Sequence, residues 1–150
     1  MAEINFYHLT RSPLEQVLPE LLEKTLARGW RAVVLAGSAE RVEALNQQLW
    51  VYKPESFLPH GSAKDGNAAE QPVWLTVEDE RPNEADVLFL TDGATSERFA
   101  DYQRVCALFS GADEAAVAEA RARWKIYQAA GHTLSYWQQN DAGGWEKKSS

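Results

Sequence analysis

The chain has 150 residues, the length of one compact domain. Hydrophobic residues make up 45% and charged residues 25%, ordinary globular values that exclude whole-chain disorder. The net charge is −7, from 22 acidic and 15 basic residues, and this argues against broad docking on DNA or on an anionic membrane, both of which need a positive field. It leaves room for a small basic patch.

In chain order, Ile4–Leu9 reads as a first strand. Ser12-Pro13-Leu14-Glu15 then starts a helix, with Ser12 as cap, Pro13 at the first helical position and Glu15 closing a capping box. Leu14, Val17, Leu18, Leu21, Leu22 and Leu26 continue it as one apolar stripe, interrupted by Pro19 and ended by Gly29. The continuous run Ala32–Ala36 suits a strand buried on both faces. A second helix runs from Ala39 to about Trp50. This β-α-β-α opening predicts a parallel sheet with helices packed on it.

Residues 51–71 hold Pro54, Pro59, Gly61, Asp65, Gly66 and Asn67, all turn formers, interleaved with Tyr52, Phe57 and Leu58. The segment reads as a long ordered loop, and loops of this length are more often functional than not. Val73–Val77 and Val87–Thr91 are further strands, and Phe99 and Tyr102 fall in a helical turn before a strand over Arg104–Phe109. A long helix runs from Glu114 to about Ala130 and is stopped by Gly131. Thr133–Trp137 is either a last strand or an extended tail. The domain is expected over 1–141, with 142–150 as a mobile tail.

Most signatures of catalysis are missing. The turn Ala36-Gly37-Ser38-Ala39-Glu40 lacks the glycine spacing of a dinucleotide fingerprint, and no phosphate-loop Gly-Lys-Ser/Thr occurs. His8, His60 and His132 form no ligand pair, and the single cysteine, Cys106, excludes a multi-cysteine metal site. Neither a metal nor a cofactor is therefore expected. Cys106 sits in an apolar run and reads as a small buried hydrophobe. The enzymatic alternative is a small hydrolase using His60 with Asp86 or Asp92. No signal sequence opens the chain, and no apolar stretch approaches the about 20 residues of a membrane span. A cytoplasmic location is the expectation.

The last helix is more informative. At about 100° per residue, Ala115, Ala118, Ala122, Ile126 and Ala129 share one stripe, which reads as the face packed on the sheet. Val117, Arg121, Trp124 and Gln128 lie away from it, with Lys125 at its edge. Arg121-Ala122-Arg123-Trp124-Lys125 concentrates three positive charges. Two readings stand. Cations near a helix C-terminus are favourable by about 0.3–1 kcal/mol each, with Trp124 packed under the last strand. Alternatively, Arg121 and Lys125 hold carboxylates of an acidic peptide, and Trp124 with Val117 takes its terminal apolar side chain.

Asn5-Phe6-Tyr7, Leu49-Trp50, Pro54-Glu55-Ser56-Phe57-Leu58-Pro59-His60 and Ala120–Lys125 with Tyr127 and Ala130-Gly131 together resemble the chi subunit of bacterial DNA polymerase III, over nearly the whole chain. The resemblance implies an open, mostly parallel α/β sheet flanked by helices, Rossmann-like without a nucleotide site. It also implies a non-catalytic adaptor between the clamp loader and the single-stranded DNA-binding protein, whose acidic, Phe-ending tail it binds. By position the tail site falls on Val117, Arg121, Trp124, Lys125 and Gln128. Val117 stands where the family carries a cation. The side facing the psi subunit or clamp loader falls on Trp50, Phe57, Pro59 and His60. The chain is then expected as a monomer or heterodimer, with no direct hold on DNA or membrane.

Overall fold

The computed structural model is built around strand β1 (Glu3–Leu9). After it come α1 (Leu14–Ala27), β2 (Ala32–Leu35), α2 (Ala39–Val51), β3 (Gly61–Ser62), β4 (Val73–Thr76), β5 (Val87–Leu90), β6 (Arg104–Ser110), α3 (Glu114–Ala129), β7 (Thr133–Gln139) and β8 (Trp145–Ser149). The structure describes residues 3–10, 14–51, 60–62, 66–91, 94–96, 101–139 and 145–149, with the backbone alone for Glu15, Trp50, Val51 and Ser149. The strands form one sheet in the order β3-β4-β2-β5-β6-β1-β7-β8. Its described pairings are parallel except β7 with β8. This is the open α/β sheet that the sequence predicts.

The connections run in two directions. From β1 the chain crosses through α1 to β2 and onward through α2, whereas from β6 it crosses over β1 through α3 to β7. Crossovers between parallel strands are right-handed, so opposite directions place the helices on opposite faces. The packing agrees. Leu18 and Leu22 of α1 and Leu45 of α2 share a core with Val34 and Phe89. Ala120 and Tyr127 of α3 share another with Phe6, Val33 and Leu35. Neighbouring residues of β2 thus alternate between two cores, which is why its sequence is an unbroken apolar run.

The connections part at the carboxyl ends of β1 and β6, where a cavity of about 610 Å³ opens between Leu9, Leu90, Ser110 and Asp113, walled by Arg41 and Arg123. Open α/β sheets commonly hold nucleotides at this crevice. Here the Asp113 carboxylate accepts from the backbone N–H groups of Ala115 (3.0 Å) and Ala116 (3.2 Å). The backbone donors at the start of α3 are thus engaged by a group of the same charge as a phosphate.

Both outer helices end as their glycines predict. Gly29 (φ 79°) and Gly131 (φ 86°) take the left-handed conformation that closes α1 and α3. The following N–H groups reach back in the same way, Trp30 to the Thr25 carbonyl and His132 to the Tyr127 carbonyl, each at 3.2 Å. Pro19 lies within α1 near its start. The capping residues Ser12 and Pro13 lie outside the described residues, as do Tyr52, Phe57, Leu58, Asp92 and Phe99. Within 51–71, the described parts include β3 and a 3-10 turn at Ala68–Glu70.

Two expectations are corrected. Helix α3 is rotated from the predicted facing: Ala115, Ala118, Ala122, Ile126 and Ala129 are exposed, and the buried stripe is Ala120 and Tyr127, bordered by Ala116, Val117, Arg123 and Trp124. An alanine stripe offers little apolar area, whereas an aromatic side chain buries about 150–250 Å². The aromatic side therefore wins the sheet. Residues 145–149, placed in a mobile tail, instead form β8, anchored where Trp145 packs edge-on against Tyr7 at 5.1 Å.

The rotated helix is testable by urea denaturation. Ile126→Asp, at a residue 63% exposed, is expected to change stability by less than about 0.5 kcal/mol. Tyr127→Ala is expected to cost about 3 kcal/mol. A larger cost for Ile126→Asp than for Tyr127→Ala would mean that the helix faces the other way.

Candidate functional site

The rotation of α3 moves its basic cluster to the helix shoulder beside β7. Arg121, Lys125 and Gln128 are exposed, and Val117 and Trp124 are half-buried. Trp124 is held by Phe6 of β1, at 5.3 Å between ring centroids, and by Tyr136 of β7, at 5.8 Å, both edge-on. Tyr136 in turn meets Phe109 of β6 at 6.1 Å. An aromatic wall thus runs along the carboxyl half of three neighbouring strands, with Arg121 above it.

His8 completes that wall. Its Nδ1 lies 2.7 Å from the Tyr136 hydroxyl, and its ring packs on Phe109 at 5.0 Å. Its neighbour is Gly111, where an added Cβ would collide with the imidazole. Burial lowers the His8 pKa from the ordinary 6.5, and the Arg121 charge lowers it further. Burial raises the Tyr136 pKa, and the same Arg121 charge opposes that rise. Arg121 therefore lies close enough to both groups to act on them electrostatically.

The structure places the residues that the sequence reading assigned to a tail site on one shoulder of α3, and it sets beside them two that sequence reasoning did not single out, His8 and Tyr136. The missing signal is a register. Tyr136 pairs with Phe6, two residues from His8, only because β7 joins the free edge of β1. Arg123, the third cation of the cluster, turns away and donates to Glu119 at 2.9 Å.

The residues assigned to the psi side are described in part. Phe57 and Pro59 lie outside the described residues, and Trp50 is placed by its backbone near the end of α2. His60 is buried, with Nε2 3.3 Å from the Asn46 carbonyl of α2. His60 and Asp86 do not form a dyad. They sit at the amino ends of β3 and β5, three strand spacings apart, or about 14 Å. Asp86 accepts instead from the Arg31 N–H (3.2 Å) and from Gln103 Nε2 (3.0 Å). Asp92, the other candidate partner, lies outside the described residues. Cys106 is buried as expected, and burial pushes its thiol up to about 12, so it stays protonated. No described helix is long and apolar enough to cross a membrane.

Residues 1–135 match the family described as DNA polymerase III chi subunit, HolC. The chain belongs to the chi-subunit family of DNA polymerase III. A protein of Rickettsia prowazekii named "Probable DNA polymerase III subunit chi" is 32% identical over 108 residues, 70% of this chain and 66% of its own length. The DNA polymerase III subunit chi of Pseudomonas aeruginosa is 29% identical over 139 residues, 89% of this chain and 94% of that one. That of Escherichia coli K12 is 24% identical over 124 residues, 83% and 84% respectively. This chi-family chain is accordingly an accessory subunit for DNA replication.

The His8 environment gives a pH signature. A histidine whose folded pKa is lowered binds its proton more readily when unfolded, so stability is full above the ordinary pKa and falls as pH drops through the folded one. The denaturation midpoint is expected to fall between about pH 7 and pH 5, and less steeply in His8→Gln. Parallel curves for parent and variant would assign the loss to another group.

Proposed function

We propose that this chain is a non-catalytic replisome adaptor that binds the acidic C-terminal tail of the single-stranded DNA-binding protein and links it to the clamp loader. The observation that carries this reading is the placement of exposed Arg121 and Lys125 beside half-buried Trp124, on a chain of net charge −7. Carboxylates of the tail meet the two cations. The terminal apolar side chain enters between Trp124, Val117 and the Tyr136 edge. Gln128, one turn beyond Trp124, offers its amide to the peptide backbone. Val117 supplies contact area where the family carries charge, which shifts part of the binding from ion pairing to apolar burial.

The acidic remainder of the surface keeps the adaptor off the DNA phosphates, so it works at DNA through another protein. The psi subunit or clamp loader is assigned to Trp50, Phe57, Pro59 and His60, of which His60 precedes β3, at the edge of the sheet away from β7. The buried His60 is tied to α2 through the Asn46 carbonyl. The protein acts in the cytoplasm, as a monomer or in a heterodimer.

A synthetic acidic peptide ending in Phe tests the reading by fluorescence anisotropy. Low-micromolar binding is expected, weakening as salt rises. Arg121→Ala is expected to lower affinity about tenfold or more, since a charge-assisted hydrogen bond contributes about 1.5–3 kcal/mol. Lys125→Glu is expected to slow association more than it speeds dissociation. Binding indifferent to Arg121→Ala would place the tail elsewhere.

A further inference from the structure

On the face opposite α3, a second cavity of about 330 Å³ lies between α1 and the sheet. Its chemistry is unlike the rest of this acidic chain. Lys24 and Arg28, one turn apart at the end of α1, line it together with Arg104 at the start of β6. Three indoles complete the wall: Trp30, just after α1, Trp137 of β7 and Trp145 of β8. The Arg28 guanidinium lies over the Trp30 ring at 4.9 Å and that of Arg104 at 5.5 Å. The two charges are held in place by the same ring.

The polar groups of the wall are mostly donors. Ammonium, guanidinium and indole N–H groups have no accepting lone pair. Two of them are buried without a hydrogen-bond partner among the described residues: the Trp137 indole N–H and the Arg104 Nε. The latter has Glu3 at 3.4 Å as an ion-pair partner only. The Thr25 hydroxyl is engaged, donating to the Leu21 carbonyl at 2.9 Å. The floor is neutral, formed by Cys106 and Tyr7, whose ionisation burial opposes. A buried donor left unmatched, as the Trp137 N–H is, is costly, and an acceptor placed against it removes that cost.

We propose that this cavity is a binding site for a small organic anion, a carboxylate or monophosphate carried on a flat apolar body. The oxyanion meets Arg28, Arg104 and the Trp137 N–H, and the flat body lies against Trp145 and Tyr7. The volume sits at the lower end of small-molecule sites, about 300–1,000 Å³. A single nucleic-acid strand needs a groove running past several nucleotides, about 4–16 per site, and does not fit. The site is independent of the peptide site: its floor belongs to the core shared with α1, whereas Trp124 packs on the core shared with α3.

Calorimetric titration of the full chain with 1-naphthoate, neutral 1-naphthamide and AMP tests the proposal, with the Trp137 indole N–H resonance as a local reporter. Saturable binding of 1-naphthoate that shifts this resonance is expected, with the amide at least about tenfold weaker. A tighter AMP complex with the same shift would mark the anion as a phosphate, and a weaker one as a carboxylate. Arg28→Gln, an exposed position that leaves the core intact, is expected to weaken binding about tenfold. Arg121→Ala is expected to leave it unchanged. Equal binding of acid and amide, indifference to Arg28→Gln, or no binding of either anion would overturn the proposal.

Discussion

Strand β1 is hydrogen-bonded along both edges, to β6 over Glu3–Leu9 and to β7 over Glu3–His8, all in parallel. Its side chains therefore alternate strictly between the two faces. Ile4, Phe6 and His8 go to the α3 side, and Tyr7 and Leu9 to the α1 side. A slip of one residue would exchange the two sets. Phe6 would leave Trp124, and Tyr7 would leave Trp145. The shoulder of α3 and the cavity under α1 thus depend on a single register.

That dependence explains how a small chain carries two chemically distinct surfaces. The sheet separates them. On one side, Arg121 stands above an aromatic wall open to solvent, suited to a flexible acidic segment. On the other, Arg28 and Arg104 are clamped on Trp30 beside a buried N–H, suited to a compact ligand. Both surfaces gather cations on a chain with an excess of carboxylates, so each stands out locally against the overall field.

The legible parts of the fold were those coded locally. Val33 and its neighbours form an apolar run because two cores meet across β2, and Gly29 and Gly131 end helices because few other residues tolerate their backbone angles. The facing of α3 was less legible, because regular alanine spacing imitates a packed stripe although Trp124 and Tyr127 carry more apolar surface. Strand β8 was hidden for another reason: of Trp145-Glu146-Lys147-Lys148-Ser149, Trp145 alone is apolar, as suits an outer strand. At the site, Arg121, Trp124 and Lys125 could be read as a cluster along one helix. The His8–Tyr136 contact spans 128 residues of sequence and follows only from strand order, which no local pattern carries.

Strand β8 also has a protective role. It occupies the outer edge of β7, whose backbone groups would otherwise offer a template for another chain. The edge that β8 itself exposes carries Glu146, Lys147 and Lys148, charged residues that disfavour pairing with another strand. The strand that keeps Trp145 on Tyr7 therefore also covers the edge of β7. A polar segment with little apolar content of its own thus closes an aromatic sheet with an edge poorly suited to pairing with another strand.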